Sequence, residues 1–535
     1  MSAASPALAG SMAGRLLLAD AAGLPPPPFP SLVGSEPGSF AEATITARLP
    51  AILASMLSDI RADAAERGWT SGPEAAQVEA ALAELAALRQ SLLEDAPLPQ
   101  LTCAPDSPAQ TVELLAAANA AVALAAARQA AGQQAQPGGG AAAARPSWLG
   151  LPWLLVECYM YAAIHAALQR QPLLAAYDPF GRQKAAGWAK SAAAAADVAA
   201  EAEALLAALH ASSSATTPSA SSTSAAPSAQ ETSGPQRARP QHEAAARAAA
   251  LGGVLCALWG NKADLSLLVS ADGLSAEDLA GPSGAQASGP SGGGEAEGGP
   301  ARVIVDDSAA VWGRMAHLRA GTAGPSGLGP GGARVDLVLD NSGLELFADL
   351  CLADLLLEAG VASHVVLHGK AIPWFVSDTL AGDLGALLDS CEAQEAPGKV
   401  PPGAWEPVRR LAARWRGHLA AGRWSWRAHA FWTTPAPFAW MAHVAPDLYD
   451  GLSGSALVIL KGDLNYRKLT HDCRWPHTTP FAESLQGFRP APLVALRTLK
   501  ADVVAGLAPG QSAALSAADP HWLVNGRWGM VQAAL

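Results

Sequence analysis

The chain has 535 residues, with 47 acidic against 35 basic side chains and a net charge of −12. That sign disfavours general binding to nucleic acid or anionic membrane, which are negative themselves, and leaves room for a small basic pocket. Half of the residues are apolar but only 6% are aromatic, and a chain of this length can hold two domains with substantial cores.

Residues 1–40 are Pro-, Gly- and Ala-rich with little periodicity, and are expected to be a disordered tail. Arg15 and the short run Leu16 to Leu18 are too brief for a secretory signal before the prolines at 25–28. The six cysteines include no CxxC pair and read as reduced core thiols. Cytoplasm is therefore the expected location, with an organellar transit peptide left open.

Residues 41–60 carry Ile45, Leu49, Ile52, Leu53, Met56 and Ile60 at helical spacing, and residues 74–93 repeat this with Val78, Leu82, Leu85 and Leu88. No stretch reads as a membrane span; the nearest, 112–127, is mostly Ala and includes Glu113 and Asn119, so a soluble helix is expected there. Residues 153–168 are apolar around most of the helix circumference, which predicts burial. Four low-complexity segments (132–146, 212–240, 281–300 and 321–332) read as mobile insertions in loops.

From residue 302 the pattern becomes strand, turn, helix. Residues 303–305 end at Asp306 and Asp307, and 335–339 end at Asp340. A helix follows from about Leu344, with the stripe Phe347, Ala348, Cys351 and Leu355, and Gly360 suits its C′ position. Strands are expected at 364–367, at 374–376 leading to Asp378, at 457–460 leading to Lys461 and Asp463, and at 493–496 leading to Arg497 and Lys500. The expected class is α/β: a mainly helical region over 41–270 and, over 300–535, a domain with a mostly parallel sheet.

In such sheets ligands bind beyond the carboxyl ends of the strands. Asp340, Asn341 and Asp378 fall there and offer oxygen donors suited to a hard divalent ion, although Asp340 and Asn341 could instead cap the next helix. Lys461, Arg467, Arg497 and Lys500 supply cations for phosphate. Glu345 lies in a first helical turn, placed either by the helix dipole or to meet a substrate hydroxyl. The chain has no GxxxxGK[ST] loop, no GxSxG elbow and no HExxH pair, and the GxGxxG spacing at Gly327 to Gly332 precedes a strand instead of following one.

The runs Val338-Leu339-Asp340-Asn341-Ser342-Gly343, Gly369-Lys370-Ala371-Ile372-Pro373-Trp374-Phe375-Val376-Ser377-Asp378, Lys461-Gly462-Asp463-Leu464-Asn465-Tyr466-Arg467-Lys468-Leu469 and Arg497-Thr498-Leu499-Lys500 resemble subfamily III of the damage-control phosphatases, which carries a C-terminal RTxK signature. The stretches from Pro152 to Tyr161 and from Trp259 to Ser266 extend the resemblance into the first half.

It implies a helical domain on a three-layer α/β/α sandwich that uses Mn²⁺, or else Co²⁺, Ni²⁺ or Mg²⁺. Asp340, Asn341 and Asp378 would be metal ligands, and Asp463 would join them as a catalytic group. Glu345, Asp463, Leu464, Asn465, Tyr466, Arg467 and Lys500 would contact substrate, with Arg497 added as a strand-end cation. Implied partners are small phosphorylated metabolites such as fructose 1-phosphate and fructose 6-phosphate, hydrolysed in metabolite damage control. The alternative is an S-adenosylmethionine-dependent carboxyl methyltransferase, which the family's other name suggests. A carboxylate-rich metal site and the lack of a Gly-rich loop after the first strand argue against it.

Overall fold

The computed structural model describes residues 10–134, 146–214, 235–260, 302–321 and 332–535. The low-complexity segments fall largely outside these, as do residues 261–270 of the expected helical region, including the motif residues from Asn261 to Ser266.

Among the described residues seven strands form one sheet: β1 Arg302–Asp306, β2 Arg334–Val338, β3 His364–Gly369, β4 Trp424–Ala428, β5 Leu457–Lys461, β6 Leu493–Thr498 and β7 Trp528–Ala534. Their order is β1-β7-β6-β5-β2-β3-β4. The five strands from β6 to β4 run parallel; β7 is antiparallel to β6, and β1 is parallel to β7. The sheet is thus mostly parallel, as its alternation with helices requires.

Both faces of the sheet are covered, and the strand pleat shows it. Val335, Leu337, Leu457, Ile459, Val494 and Leu496 enter one core, while Val338, Val458, Leu460, Leu493 and Ala495 enter the other. The second core is closed by α1 Leu49–Glu66, α2 Gly72–Leu93, α3 Ala109–Gln134 and α4 Trp153–Gln169. The first is closed by α5 Gly181–Lys190, α6 Ala192–Ser214, α7 Pro235–Gly260, α8 Ser308–Arg319, α9 Leu344–Glu358, α10 Ala381–Glu392 and α11 Glu406–Ala420. The helices of the N-terminal region are divided between the two faces and share their cores with the sheet.

Ala and Gly allow α7 to lie close against α9. A Cβ on Gly260 would sit 2.8 Å from the Ala348 Cβ and 3.2 Å from the Glu345 Cα. Among the described residues two helical stretches, Phe40–Glu66 and Ala109–Ala131, are long and apolar enough to cross a membrane, but half of each apolar window is buried inside the protein.

Two expectations are corrected. Residues 10–40 are not a disordered tail. Ser11 Oγ accepts from the Gly14 amide to start the helix Met12–Leu17, Met12, Leu16 and Leu32 are buried, and Trp440 Nε1 donates to the Pro25 carbonyl at 2.9 Å. These anchors are scattered singly along the chain, so no periodicity announces them. Residues 374–376 are not a strand either, because Phe375 and Val376 take φ of 44° and 70° in a turn.

Candidate active site

The chain leaves β2 for β3 on one side and leaves β5 for β6 on the other, so the crevice between β2 and β5 is where the sheet reverses direction. After β2, the residues Leu339 to Gly343 form the link to α9, with Gly343 at φ 69°. The loop after β3 is zipped against this link. Ser342 N donates to the Ser377 carbonyl at 2.7 Å, Thr379 N donates to the Asp340 carbonyl at 2.8 Å, and Asn341 bridges Asp378.

The side chains of Asp340, Asn341 and Asp378 are buried at this seam. Asn341 Nδ2 donates to Asp340 Oδ2 at 3.2 Å and to Glu345 Oε2 at 2.8 Å, and Asn341 Oδ1 accepts from Ser377 Oγ at 2.6 Å. Lys370 Nζ reaches Asp378 Oδ2 at 2.9 Å, and Lys184 of α5 donates to the Asp378 carbonyl at 3.1 Å. Gly462 closes over Asp340 from β5. Its φ is +84°, and a Cβ there would lie 1.8 Å from Asp340 Oδ2.

The opposite wall follows β5 and β6. Helix α12 Gly462–Leu469 presents Asp463, Leu464 and Arg467, and Lys500 comes from beyond β6. Asp463 Oδ1 accepts from Arg497 Nε at 2.7 Å and from the Lys500 amide at 3.3 Å. Arg467 lies 3.6 Å above the Trp153 ring and pairs with both Glu157 and Asp472 at 2.7 Å.

One cleft gathers Asp340, Asn341, Asp378, Asp463, Leu464, Arg467 and Lys500, together with Arg48, Trp153, Glu157 and Phe375. Four residues expected at the substrate do not line it. Glu345 lies behind, between Asn341 and Lys461, the latter at 2.9 Å. Asn465 turns its amide to the carbonyls of Leu339 and Lys461 at 3.2 and 2.8 Å. Tyr466 lies 4.3 Å beneath the Arg497 guanidinium, which also bonds the carbonyls of Ala501 and Val503. These groups hold the wall in place.

Lys461 is likewise turned away from the cleft. Burial works against its charge, but Asp349 and Glu345 more than offset that and hold its pKa above the ordinary lysine value. Burial pushes its partner Asp349 up to about 7.

The wall supplied by the N-terminal region was not anticipated. Glu157 is the one Asp, Glu, Lys or Arg in the mostly apolar α4, and an isolated charge in such a helix is itself a signal. Burial raises its carboxyl above the usual range, against the pull of Arg467. Arg48 ends a five-residue π-helical turn, Thr44–Arg48, a distortion that often accompanies functional sites.

Away from the cleft, Asp354, Glu358 and His418 are close enough together to hold a metal ion. The Arg414 guanidinium already bonds both carboxylates, at 2.8 and 2.9 Å, and His418 bonds Asp354 at 2.9 Å. We read this group as an ion-pair network joining α9 to α11.

The family described as the damage-control phosphatase ARMT1-like domain matches residues 44–515. The damage-control phosphatase ARMT1 of Mus musculus is 31% identical over 513 residues, covering 94% of this chain and 97% of its own length. That of Danio rerio is 33% identical over 514 residues, covering 96% and 98%. That of Homo sapiens is 30% identical over 503 residues, covering 94% and 98%. With the strand-end cleft in place and matches across nearly its whole length, the chain belongs to the ARMT1-like damage-control phosphatase family and is a phosphatase.

Proposed function

We propose that this phosphatase hydrolyses phosphate monoesters of sugars and related small metabolites, of the fructose 1-phosphate and fructose 6-phosphate type. It would use a divalent ion, Mn²⁺ first among candidates, held by Asp340, Asn341 and Asp378. The observation that carries the reading is the meeting of this buried oxygen-donor set with Arg467 and Lys500 in one cleft at the sheet's reversal point.

The donor set fits such an ion. Three cations (Arg48, Arg467 and Lys500) face four carboxylates (Glu157, Asp340, Asp378 and Asp463) around the cleft. That lining would repel a phosphate dianion unless further positive charge were added. The bare Gly462 leaves Asp340 Oδ2 a space that any Cβ would fill, and two carboxylates with an amide oxygen suit a hard ion.

When bound there, the ion supplies Lewis acidity toward the phosphoryl oxygens and activates water. The chain's own residues do the rest. Lys370 and Lys184 fix Asp378 from behind. Arg497 and the Lys500 amide orient Asp463, leaving it to accept a hydrogen bond from a sugar hydroxyl. Arg467 and Lys500 offer donors to the phosphoryl oxygens.

The methyltransferase alternative has no support: the link from β2 to α9 contains one glycine, Gly343, and no Gly-rich loop. The test is orthophosphate release from a panel of sugar phosphates and other phosphomonoesters with Mn²⁺, Co²⁺, Ni²⁺ or Mg²⁺. Turnover confined to non-sugar esters would reject the substrate class.

A further inference from the structure

Building on the phosphatase reading, we propose that Glu157 is a positioning residue that aims Arg467 at the phosphoryl group. The N-terminal helical region would then supply part of the working site.

A guanidinium has five N–H donors in a fixed plane. In Arg467, Nε and Nη2 form a fork on Asp472 Oδ1 and Oδ2 at 2.7 and 3.1 Å, and Nη1 donates to Glu157 Oε2 at 2.7 Å. Two donors are left without a bonded partner among the described residues, and Arg467 borders the cleft. The Trp153 ring lies beneath the guanidinium at 3.6 Å, so the plane is fixed from three directions.

The two carboxylates are not equivalent. Asp472 lies five residues further along the same chain segment, whereas Glu157 is 310 residues away on α4. Asp472 is itself held awkwardly. It and His471 take φ of 44° and 64°, a conformation that costs a non-glycine residue free energy and persists only where neighbours enforce it. Glu157 comes instead from a buried, regular helix. Glu157 and Arg467 are each 3% exposed, so losing the bond leaves a largely buried charge short of a partner. Without Glu157, Arg467 is free to tilt about its Asp472 fork and turn its remaining donors off the phosphoryl position.

The experiment places Glu157→Gln and Glu157→Ala in the full chain, each alone and together with Arg467→Ala. It measures KM and kcat on a sugar phosphate, Mn²⁺ affinity, thermal midpoint, and calorimetric binding of inorganic phosphate with Mn²⁺ present. Glu157→Ala is expected to raise KM, and weaken phosphate binding, by about tenfold or more, with Mn²⁺ affinity unchanged. Glu157→Gln keeps an acceptor oxygen and should show a smaller loss of the same kind. Neither substitution should add to the loss in the Arg467→Ala background.

Wild-type KM and phosphate affinity in both Glu157 variants would overturn the proposal, as would an equal loss with and without Arg467. If Glu157→Ala does not fold, Glu157→Gln decides by the same criteria. Absence of ester turnover in the wild type would count against the phosphatase reading alone, and phosphate binding would still decide the role of Glu157.

Discussion

Gly462 offers a test of the site that removes no functional group. In Gly462→Ala the added methyl would begin 1.8 Å from Asp340 Oδ2, 2.2 Å from its Cγ and 2.6 Å from its Cβ. Ordinary contact is roughly 3.4 Å or more, so the Asp340 carboxylate must retreat by more than about an ångström or Gly462 must lift away from it. The φ of +84° adds a backbone penalty of about 1 kcal/mol for any L side chain. Misplacing a reacting group by about 1 Å can cost roughly 100-fold in rate. Gly462→Ala is therefore expected to lose about 100-fold or more in kcat and to bind Mn²⁺ more weakly, while circular dichroism shows a folded protein. The assay is steady-state kinetics with a metal titration, run beside Gly454→Ala, whose nearest neighbour to an added Cβ is the flexible end of Arg334 at 3.5 Å. Wild-type turnover and metal affinity in Gly462→Ala would show that Asp340 is not where the ion is held.

Asp378→Asn removes one charge from the proposed metal ligands and should weaken Mn²⁺ binding and cut turnover by orders of magnitude. Lys500→Ala should leave metal affinity nearly intact and lower kcat/KM by roughly 10–150-fold, the equivalent of ~1.5–3 kcal/mol for a lost charge-assisted contact; the reverse pattern would show the two halves of the site to be exchanged. A third test concerns pH. Lys468 is buried, donates to the carbonyls of Phe431 and Trp432 at 2.8 and 3.3 Å, and is pushed by burial from 10.5 down to about 7. The unfolded chain keeps this proton up to about 10.5 while the folded chain releases it near 7. Its contribution should therefore make stability rise with pH across that window and fall as pH drops toward 7. Urea denaturation at pH 7 and pH 9 should show Lys468→Met flattening the rise; equal slopes in the two proteins would refute the argument.

How much of this could be read from the chain depended on whether the signal was local. β5 and β6 are apolar runs that stop at Lys461 and Arg497, and β2, apolar apart from Arg334 and Asp336, leads to Asp340, so their position and the chemistry at their ends were legible together. β4 was not, because Trp424-Ser425-Trp426-Arg427-Ala428 is a partly exposed edge strand. Nor was β7, whose Gly529, Ala533 and Ala534 have weak strand preference.

Within the site, residue type gave the inventory but not the direction each side chain takes. Lys461 and Arg497 looked like phosphate ligands because they follow strands. Lys461 instead meets Glu345 and Asp349, and Arg497 holds Asp463 and the loop beyond it. The pairing of Glu157 with Arg467 across 310 residues has no local signature beyond a lone acid in an apolar helix.

The most direct test of the central claim, that a divalent ion held by Asp340, Asn341 and Asp378 drives phosphomonoester hydrolysis, is a metal-removal and add-back assay on the purified full chain. Orthophosphate release from fructose 1-phosphate is followed after dialysis against chelator and again after Mn²⁺, Co²⁺, Mg²⁺ or Ca²⁺ is restored. The expected result is no release in chelator, recovery with Mn²⁺, Co²⁺ or Mg²⁺, and poor recovery with Ca²⁺, which prefers roughly 6–8 oxygen ligands. Full turnover in excess chelator would contradict the account.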